Sequence, residues 1–356
     1  MTTKTWSLLH RPRRFSDVAG QQHAVAQLKG MLKTGDIPAT LMFVGPSGTG
    51  KTTLARMMAM YLNCEKGTAC GKCASCLAGD KHPDILELNA ADARGIDDAR
   101  GLAAKARYNP KFKHRIIIID EIQGMTPQAL QSLLIPTEDP PAHTLYCLCT
   151  TDPQKLPEAM LTRGTKIVLT LPDKDEIVER LKAIATARKI KMPAEVFEAA
   201  SVASGGHVRD AVNLLQSAHN TIAADPKADL KLVLKTIFVA TDVSQALMAT
   251  KLLIALYLGK RGAAAKTLFQ VSETVQFLNQ CMWFNQYVIG LKVGAEPSRN
   301  FWHAPANKTF AANVKKLAPD VTIAKLLEVQ KVIVQLRNEL HTVPTSDLSL
   351  MLAYLT

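Results

Sequence analysis

The segment GPSGTGKT, residues 45–52, has the spacing G-x-x-x-x-G-K-[ST] of a phosphate-binding loop. Glycines in such a loop let backbone N–H groups turn toward phosphate oxygens, and the helix that follows adds its positive dipole end. Lys51 can reach the β- and γ-phosphates, and the Thr52 hydroxyl can bind magnesium. The segment therefore predicts a nucleotide site lined by Gly45, Pro46, Ser47, Gly48, Thr49, Gly50, Lys51, Thr52 and Thr53.

A second segment, RIIIIDEIQ, supplies two acidic residues, Asp120 and Glu121, directly after an apolar strand. In a parallel sheet, the ends of neighbouring strands meet beside the phosphate-binding loop. We predict that Asp120 holds the water shell of magnesium and that Glu121 acts as the general base. Hydrolysis also needs positive charge at the γ-phosphate, for which Arg163 and Arg209 are candidates.

Four cysteines, Cys64, Cys70, Cys73 and Cys76, follow the phosphate-binding loop with the spacing C-x5-C-x2-C-x2-C. This spacing allows four thiolates to surround one zinc ion, and closed four-cysteine sites are typically structural. A redox C-x-x-C pair is an alternative, although it would leave two cysteines unexplained, and unreactive thiols are another. The remaining cysteines, Cys147, Cys149 and Cys281, lie in apolar stretches and are predicted to be buried.

Apolar segments alternate with helical ones along the first half of the chain, which predicts an α/β fold with a parallel sheet. The predicted strands lie in the segments ATLMFVGPSGTG, PDILELNA, RIIIIDEIQ, TLYCLCTTD and, with a weaker pattern, TKIVLTL. After residue 170 amphipathic helical segments continue to the final TSDLSLMLAYL. The predicted domains are a nucleotide-binding domain at 1–168 with the cysteine insertion at 64–76, a helical domain at 169–224 and an all-helical domain at 225–356.

Composition narrows the class of protein. The chain has 356 residues, 47% hydrophobic and 21% charged, which is typical of globular rather than disordered protein. The formal net charge of +12 is compatible with a polyanionic partner such as DNA. We find no apolar run long enough for a membrane span and no signal peptide, so we expect a cytoplasmic protein without a membrane partner.

Several segments together resemble the AAA+ clamp-loader ATPases of the bacterial DNA polymerase III gamma/tau family. They are HRPRRFSDVAGQQHAV, GPSGTGKTTLAR, LNCEKGTACGKCASC, IIIIDEIQGMT, TTDPQKLPEAMLTRG and GGHVRDAVNLL, in the family's order over residues 10 to about 220. The resemblance implies an AAA+ P-loop domain with a zinc module, a helical lid domain and a helical collar domain. Because the chain ends at residue 356, it resembles the short gamma form.

The resemblance also implies cofactors and residue roles. ATP, magnesium and structural zinc are the expected cofactors. Thr150 and Thr151 occupy the position of the polar γ-phosphate sensor, Arg163 matches an arginine that acts in trans on a neighbouring subunit, and Arg209 matches a sensor that acts in cis. The expected adenine-binding residues are Arg11, Pro12 and Val18, and the expected DNA contacts are Arg94, Arg100 and Lys105.

The implied partners are other clamp-loader subunits in a pentameric ring, a sliding clamp and primer–template DNA. Such a protein would be associated with the nucleoid, or would act in the host cytoplasm if a phage encoded it. Two alternatives remain: an AAA+ branch-migration helicase, and a structural ring subunit whose ATP site is silent. A winged-helix C-terminal domain and no zinc module would be expected of the helicase.

The sequence departs from the family's pattern at two places. The family's Ser-Arg-Cys motif reads Thr162-Arg163-Gly164, so the arginine is retained while its neighbours differ. A helix that carries a basic residue in the family contains Ile135 and Pro136 instead, and we expect the proline to end this helix early.

Overall fold

The computed structural model of the chain describes residues 5–92, 94–225, 229–239, 243–257, 274–294 and 321–340. Each of its five strands lies within one of the five predicted segments, and the strands pair in parallel, which confirms the α/β prediction. The strands are β1 (Thr40–Val44), β2 (Ile85–Asn89), β3 (Arg115–Asp120), β4 (Thr144–Thr150) and β5 (Thr165–Val168). They form one sheet in the order β2-β3-β4-β1-β5, so β1 lies between two strands that follow much later in the chain.

Helices cover both faces of this sheet. The helices of the sheet region and the segment after it are α1 (Trp6–Leu9), α2 (Gln22–Thr34), α3 (Lys51–Asn63), α4 (Ala74–Ala78), α5 (Ile96–Ala106), α6 (Pro127–Glu138), α7 (Glu158–Arg163) and α8 (Lys174–Ala187). Helices α2 and α3 pack on one face, and α5 and α6 pack on the other. The sheet is therefore the middle of three layers.

The four consecutive isoleucines of β3 explain why this strand is buried on both sides. Because side chains alternate along a strand, Ile116 and Ile118 join the core under α2 and α3. Ile117 and Ile119 join the core under α5 and α6. All four are completely buried, as expected of a central strand in a parallel sheet.

The expectation that Pro136 ends its helix early was wrong, because α6 runs on to Glu138 with Pro136 in its last turns. A proline so close to a helix end removes one ladder hydrogen bond, the bond that its own N–H would have made. The neighbouring residue Thr137 is buried, and its hydroxyl donates to the Leu133 carbonyl at 2.7 Å. The Asp139 N–H still reaches the Ile135 carbonyl at 3.2 Å.

Contacts group the chain into two compact units, residues 1–191 with 206–213 and residues 192–205 with 214–356. The helices beyond α8 are α9 (Ala194–Ala203), α10 (Val208–Ala224), α11 (Leu230–Val239), α12 (Val243–Tyr257), α13 (Thr274–Lys292) and α14 (Ile323–Leu340). The predicted helix in TSDLSLMLAYL lies outside the described residues. The predicted boundaries at 168/169 and 224/225 stay predictions.

A buried polar side chain links three helices of the second unit. The Asn285 amide group on α13 donates to the Leu326 carbonyl and to Gln330 Oε1 of α14 at 2.9 and 2.8 Å. The Tyr257 hydroxyl at the end of α12 donates to Asn285 Oδ1 at 2.5 Å.

Within the described part of the chain, no helix is long and apolar enough to cross a membrane.

Candidate functional site

The predicted phosphate-binding loop lies between the end of β1 and the start of α3. Gly48 and Gly50 have φ of +75° and +103°, values that residues with a Cβ rarely adopt. Gly45 is required for a different reason, since a Cβ built there would lie 2.4 Å from the Leu169 carbonyl oxygen. The glycines therefore allow both the turn of the loop and its close approach to the chain that continues β5.

Lys51 begins α3 and is almost completely buried. Its ammonium group donates to the carbonyl oxygens of Gly45 and Pro46, both at 3.0 Å, and lies 4.0 Å from Glu121 Oε1. Burial lowers the pKa of Lys51, while the negative charges of Glu121 and Asp120 oppose this effect. The loop therefore surrounds a buried cation.

Thr52 and Asp120 meet as predicted, because α3 starts beside the end of β3. The Thr52 hydroxyl donates to Asp120 Oδ2 at 2.8 Å. A hydroxyl and a carboxylate offer the hard oxygen ligands that magnesium prefers, usually alongside water and substrate phosphates. These two residues could hold magnesium next to the phosphate-binding loop.

Glu121 belongs to a network of polar side chains at the ends of β3 and β4. Its Oε2 accepts hydrogen bonds from Gln123 Nε2 at 2.5 Å and from Thr151 Oγ1 at 3.0 Å. Gln123 Nε2 also donates to Thr151 Oγ1 at 2.8 Å, and Gln123 Oε1 accepts from Thr150 Oγ1 at 2.7 Å. The structure thus joins the predicted base Glu121 to both predicted sensor threonines.

Most of the predicted ATP-site residues, from distant parts of the first unit, line a single cavity, whose lining does not include Gly45, Pro46 or Thr151. The residues that this cavity shares with the prediction are Arg11, Pro12, Val18, Ser47, Gly48, Thr49, Gly50, Lys51, Thr52, Thr53, Asp120, Glu121 and Arg209. Arg11 Nε donates to Thr53 Oγ1 at 3.2 Å. Burial is the main reason why the pKa of Arg11 is lowered, and the neighbouring charge of Arg56 adds to it. This end of the cavity therefore contains a partly buried positive charge.

Arg163, at the end of α7, does not line this cavity. Its guanidinium group lies 2.6 Å from Glu138 Oε2 at the end of α6, and both side chains are about half exposed, at 45% and 48%. The predicted role of Arg163 in a neighbouring subunit's site stays a prediction.

Two residues at the site were not predicted to act there. Gln123 follows the Asp-Glu pair by two residues, and the only sequence signal was its position in DEIQ. His207 precedes Arg209 and its Nδ1 lies 2.6 Å from the Ser47 carbonyl oxygen of the phosphate-binding loop, which accepts the hydrogen bond. A Cβ at Gly48 would lie 3.3 Å from His207 Cβ, so the ring and the loop are packed together.

The four clustered cysteines come together as predicted. Their sulfur atoms all lie within 4.8 Å of one another, and within the described residues this is the group suited to bind a metal ion. Four sulfurs at about 2.3 Å from a tetrahedral zinc are separated by about 3.8 Å. Positive φ angles at Gly67, Ala69 and Gly71 make the tight turns that bring the thiols together. The donor set therefore fits a closed zinc site.

Backbone hydrogen bonds favour the ionised form of the first thiol. Cys64 is buried, which opposes ionisation, but N–H groups of Cys70, Thr68 and Lys66 direct hydrogen bonds at its sulfur and lower its pKa to about 6. Burial and the nearby Cys73 and Cys64 sulfurs raise the pKa of Cys76 to about 12. Such crowding of sulfurs is relieved by a bound cation, which ionises coordinating thiols.

His82, in the loop after the cysteine segment, is buried, and both of its ring nitrogens form hydrogen bonds with protein groups. Its Nδ1 accepts the Asp84 N–H at 3.1 Å, so Nε2 carries the proton and pairs with Ser75 Oγ at 2.9 Å. Burial lowers the pKa of His82, which keeps the ring neutral. Cys147, Cys149 and Cys281 are buried as predicted, and burial raises the pKa of all three thiols.

The residues expected to contact DNA are exposed, but they do not form one stripe. Arg100 and Lys105 are five positions apart on α5, so they point about 140° apart around the helix axis. Arg94 lies before this helix, and its Nε donates to the Ala91 carbonyl at 3.0 Å. Their contact with DNA stays a prediction.

Comparison with known proteins identifies the sequence relatives. The family model described as DNA polymerase III, delta subunit, matches residues 20–173. A DNA polymerase III subunit tau of Salmonella typhimurium is 35% identical over 214 residues, 58% of this chain and 33% of that protein. The tau subunit of Bacillus subtilis is 31% identical over 280 residues, 76% of this chain and 46% of that protein. The chain is gamma/tau-like, which means that its sequence is similar to those of the gamma and tau subunits of DNA polymerase III.

A shorter relative also matches the gamma/tau-like chain. The DNA polymerase III subunit gamma of Buchnera aphidicola is 34% identical over 212 residues, which are 58% of this chain and 57% of that protein. The gamma/tau-like chain therefore spans between a third and somewhat over half of the length of these curated relatives.

Similarity to solved structures concerns the fold. The RuvB Holliday junction branch migration motor of Thermotoga maritima matches with a TM-score of 0.53 and 18% identity, covering 77% of this chain and 91% of that chain. A variant of the same RuvB protein matches with a TM-score of 0.52 and 18% identity, covering 75% of this chain and 88% of that chain. The gamma/tau-like chain thus has a fold similar to that of RuvB.

Proposed function

We propose that this chain is an ATPase subunit of a DNA polymerase sliding-clamp loader. The observation that carries the proposal is the convergence of Lys51, Thr52, Asp120 and Glu121 on one cavity in a gamma/tau-like chain. The similarity to RuvB structures supports the fold and does not favour the helicase alternative.

ATP would bind with its phosphates in the loop at residues 45–52. The Lys51 ammonium group would exchange its two loop carbonyl partners for phosphate oxygens, which carry more negative charge. Magnesium, when bound with ATP, would neutralise charge on the phosphates, and the oxygens of Thr52 and Asp120 fit its preference. Arg11, Pro12 and Val18 would contact the adenine end of the nucleotide.

Hydrolysis would depend on Glu121 accepting a proton from the attacking water. Thr151 would hold the Glu121 carboxylate, since its hydroxyl already donates to it. Arg209 would place positive charge at the γ-phosphate from the same chain, and Arg163 would do so in a neighbouring subunit. The zinc cluster would stabilise the segment around Cys64–Cys76 and take no part in this step.

In this proposal, ATP binding lets a pentameric ring of subunits open the clamp and hold primer–template DNA. Hydrolysis then releases the clamp on DNA. The net charge of +12 and the exposed Arg94, Arg100 and Lys105 support backbone contacts to duplex DNA.

The decisive experiment measures ATP turnover by the full chain in the assembled loader, with and without primed DNA and a sliding clamp. We expect Lys51→Ala and Glu121→Gln to abolish turnover and Arg163→Ala to lower it by about 10³-fold or more. Wild-type protein that binds ATP but shows no turnover even with its partners would contradict the proposal and favour a silent subunit.

Two control variants separate the proposed trans role of Arg163 from a general effect of charge. Glu138→Gln removes the ion pair but keeps Arg163, and we expect turnover to stay within about twofold because half-exposed pairs contribute little. Lys182→Ala removes an exposed positive charge on α8 and should also leave turnover unchanged. Full turnover by Arg163→Ala would refute the trans role.

A further inference from the structure

Gln123 occupies a central position in the polar network around the proposed general base. It lies in the short 3₁₀ turn Ile122–Gly124 that directly follows Glu121. Its side-chain amide bonds to three side chains: Nε2 donates to Glu121 at 2.5 Å and to Thr151 at 2.8 Å, and Oε1 accepts from Thr150 at 2.7 Å. No other described side chain bonds to all three of these residues.

The contacts distinguish the two oxygens of the Glu121 carboxylate. Oε2 accepts two hydrogen bonds, from Gln123 and Thr151. Oε1 is left on the side of the phosphate-binding loop, 4.0 Å from the Lys51 ammonium group. Glu121 also has a left-handed φ of +51°, which is uncommon for a residue with a side chain and fixes where the carboxylate leaves the backbone. Oε2 is thus held by hydrogen bonds, and Oε1 faces the side of the loop where phosphates are proposed to bind.

An amide suits this position better than other side chains. The end of the side chain that contacts the Glu121 carboxylate must be a donor, which is the Nε2 group of Gln123. The other end accepts a hydrogen bond from the Thr150 hydroxyl through Oε1, so the two partners fix the orientation of the amide. Alanine would remove both functions. Glutamate has nearly the same size as glutamine, but it would place a second negative charge against Glu121.

We propose that Gln123 is a positioning residue that holds the Glu121 carboxylate for proton abstraction and links it to Thr150 and Thr151. This inference rests on the proposed ATPase function, and Gln123 itself need not touch ATP. Because a base must be held within a fraction of an ångström of its reactive geometry, a loosened Glu121 would slow hydrolysis without weakening ATP binding.

The test uses the full chain in the assembled loader, with primed DNA and a sliding clamp, and follows radiolabelled ATP under single-turnover conditions. ATP affinity is measured separately with a non-hydrolysable analogue. We expect Gln123→Ala to slow hydrolysis roughly 10- to 100-fold, the effect of losing one hydrogen bond to a charged group. Affinity for the analogue should stay within about threefold. Gln123→Glu, which keeps the size of the side chain, should be at least as slow.

The matched control is Gln128→Ala, in the exposed first turn of α6. It should hydrolyse ATP at the wild-type rate, and urea unfolding should show that both Gln123 variants remain folded. Gln123→Ala with wild-type hydrolysis, or Gln123→Glu with wild-type hydrolysis, would overturn the inference. A parallel loss of analogue affinity would also overturn it, because Gln123 would then support the site as a whole.

Failure of the underlying function gives a different result. If wild type and Gln128→Ala both fail to hydrolyse ATP, the proposed ATPase function is wrong and the inference falls with it. If wild type hydrolyses ATP and Glu121→Gln does not, while Gln123→Ala matches wild type, the inference alone is refuted.

Discussion

Replacement of Gly45 by alanine tests how closely the phosphate-binding loop depends on its contact with the end of β5. The new Cβ would lie 2.4 Å from the Leu169 carbonyl oxygen and 3.0 Å from Leu169 Cβ. Ordinary contact begins at 3.4 Å, so the two backbone segments must separate by about 1 Å. Neither neighbour can move alone, because Leu169 N–H donates to Val44 at 2.8 Å and Gly45 N–H donates to Thr150 at 3.2 Å.

The expected cost follows from these contacts. Overpacking a close-packed region costs about 1–3 kcal/mol, and weakening one of the two backbone hydrogen bonds adds about 1 kcal/mol. We therefore expect Gly45→Ala to lower the free energy of unfolding by about 2–4 kcal/mol. ATP affinity should fall by about tenfold or more, because displaced loop N–H groups no longer point together at the phosphates.

Urea unfolding and titration with a fluorescent ATP analogue measure the two effects. The matched control is Gly30→Ala in α2, where a Cβ would meet nothing within 4 Å. Because alanine favours a helix over glycine, this variant should be more stable by about 0.5–1 kcal/mol and should bind ATP normally. A Gly45→Ala protein as stable as wild type would refute the reasoning that this close approach excludes a side chain.

Three further predictions concern other parts of the first unit. Purified protein should contain about one zinc per chain, which Cys76→Ser should abolish and Cys147→Ala should retain, as measured by metal analysis. Asp84→Ala should lower the free energy of unfolding, measured by urea unfolding, by about 3–5 kcal/mol. The buried Asp84 carboxylate accepts the Lys111 and Phe112 N–H groups, both at 2.8 Å, and pairs with Arg115 at 3.4 Å. The control Asp36→Ala, at an exposed position, should change the free energy of unfolding by less than about 0.5 kcal/mol. Burial lowers the pKa of His82, so near its ordinary pKa of about 6.5 the unfolded chain binds a proton more readily than the folded chain does. The free energy of unfolding should therefore fall as the pH drops from 7.5 to 6. His82→Asn should reduce this slope in urea unfolding, and an unchanged slope would mean that His82 does not contribute.

The sheet and most of the ATP site could be predicted because their sequence signals are local. A loop with fixed glycine spacing can fold in few ways, and four consecutive isoleucines followed by two acids indicate a buried strand ending at a site. The topology of a parallel sheet then brings the ends of β1, β3 and β4 together. Local patterns and one topological rule therefore predicted Lys51, Thr52, Asp120 and Glu121.

Side-chain pairings could not be predicted in the same way. Gln123 could have faced solvent, and only the position of β4 beside β3 brings Thr150 and Thr151 within its reach. His207 reaches the phosphate-binding loop through contacts between residues far apart in sequence. The continuation of α6 past Pro136 likewise involves a side chain that the local pattern does not reveal, since Thr137 is buried and its hydroxyl donates to the Leu133 carbonyl.

The position of β1 within the sheet has a consequence for the order in which the protein can fold during synthesis. The two neighbours of β1, the strands β4 and β5, are translated long after it. During that interval β1 and the phosphate-binding loop that follows it have no strand to pair with. Pairing over such long chain separations is slow, and an apolar strand that waits is exposed to wrong partners. A ribosome-bound chain that has not yet reached Leu169 lacks the backbone that packs against Gly45, and one that has not reached Arg209 lacks part of the cavity lining. Nucleotide could therefore stabilise this unit only after both segments have been made.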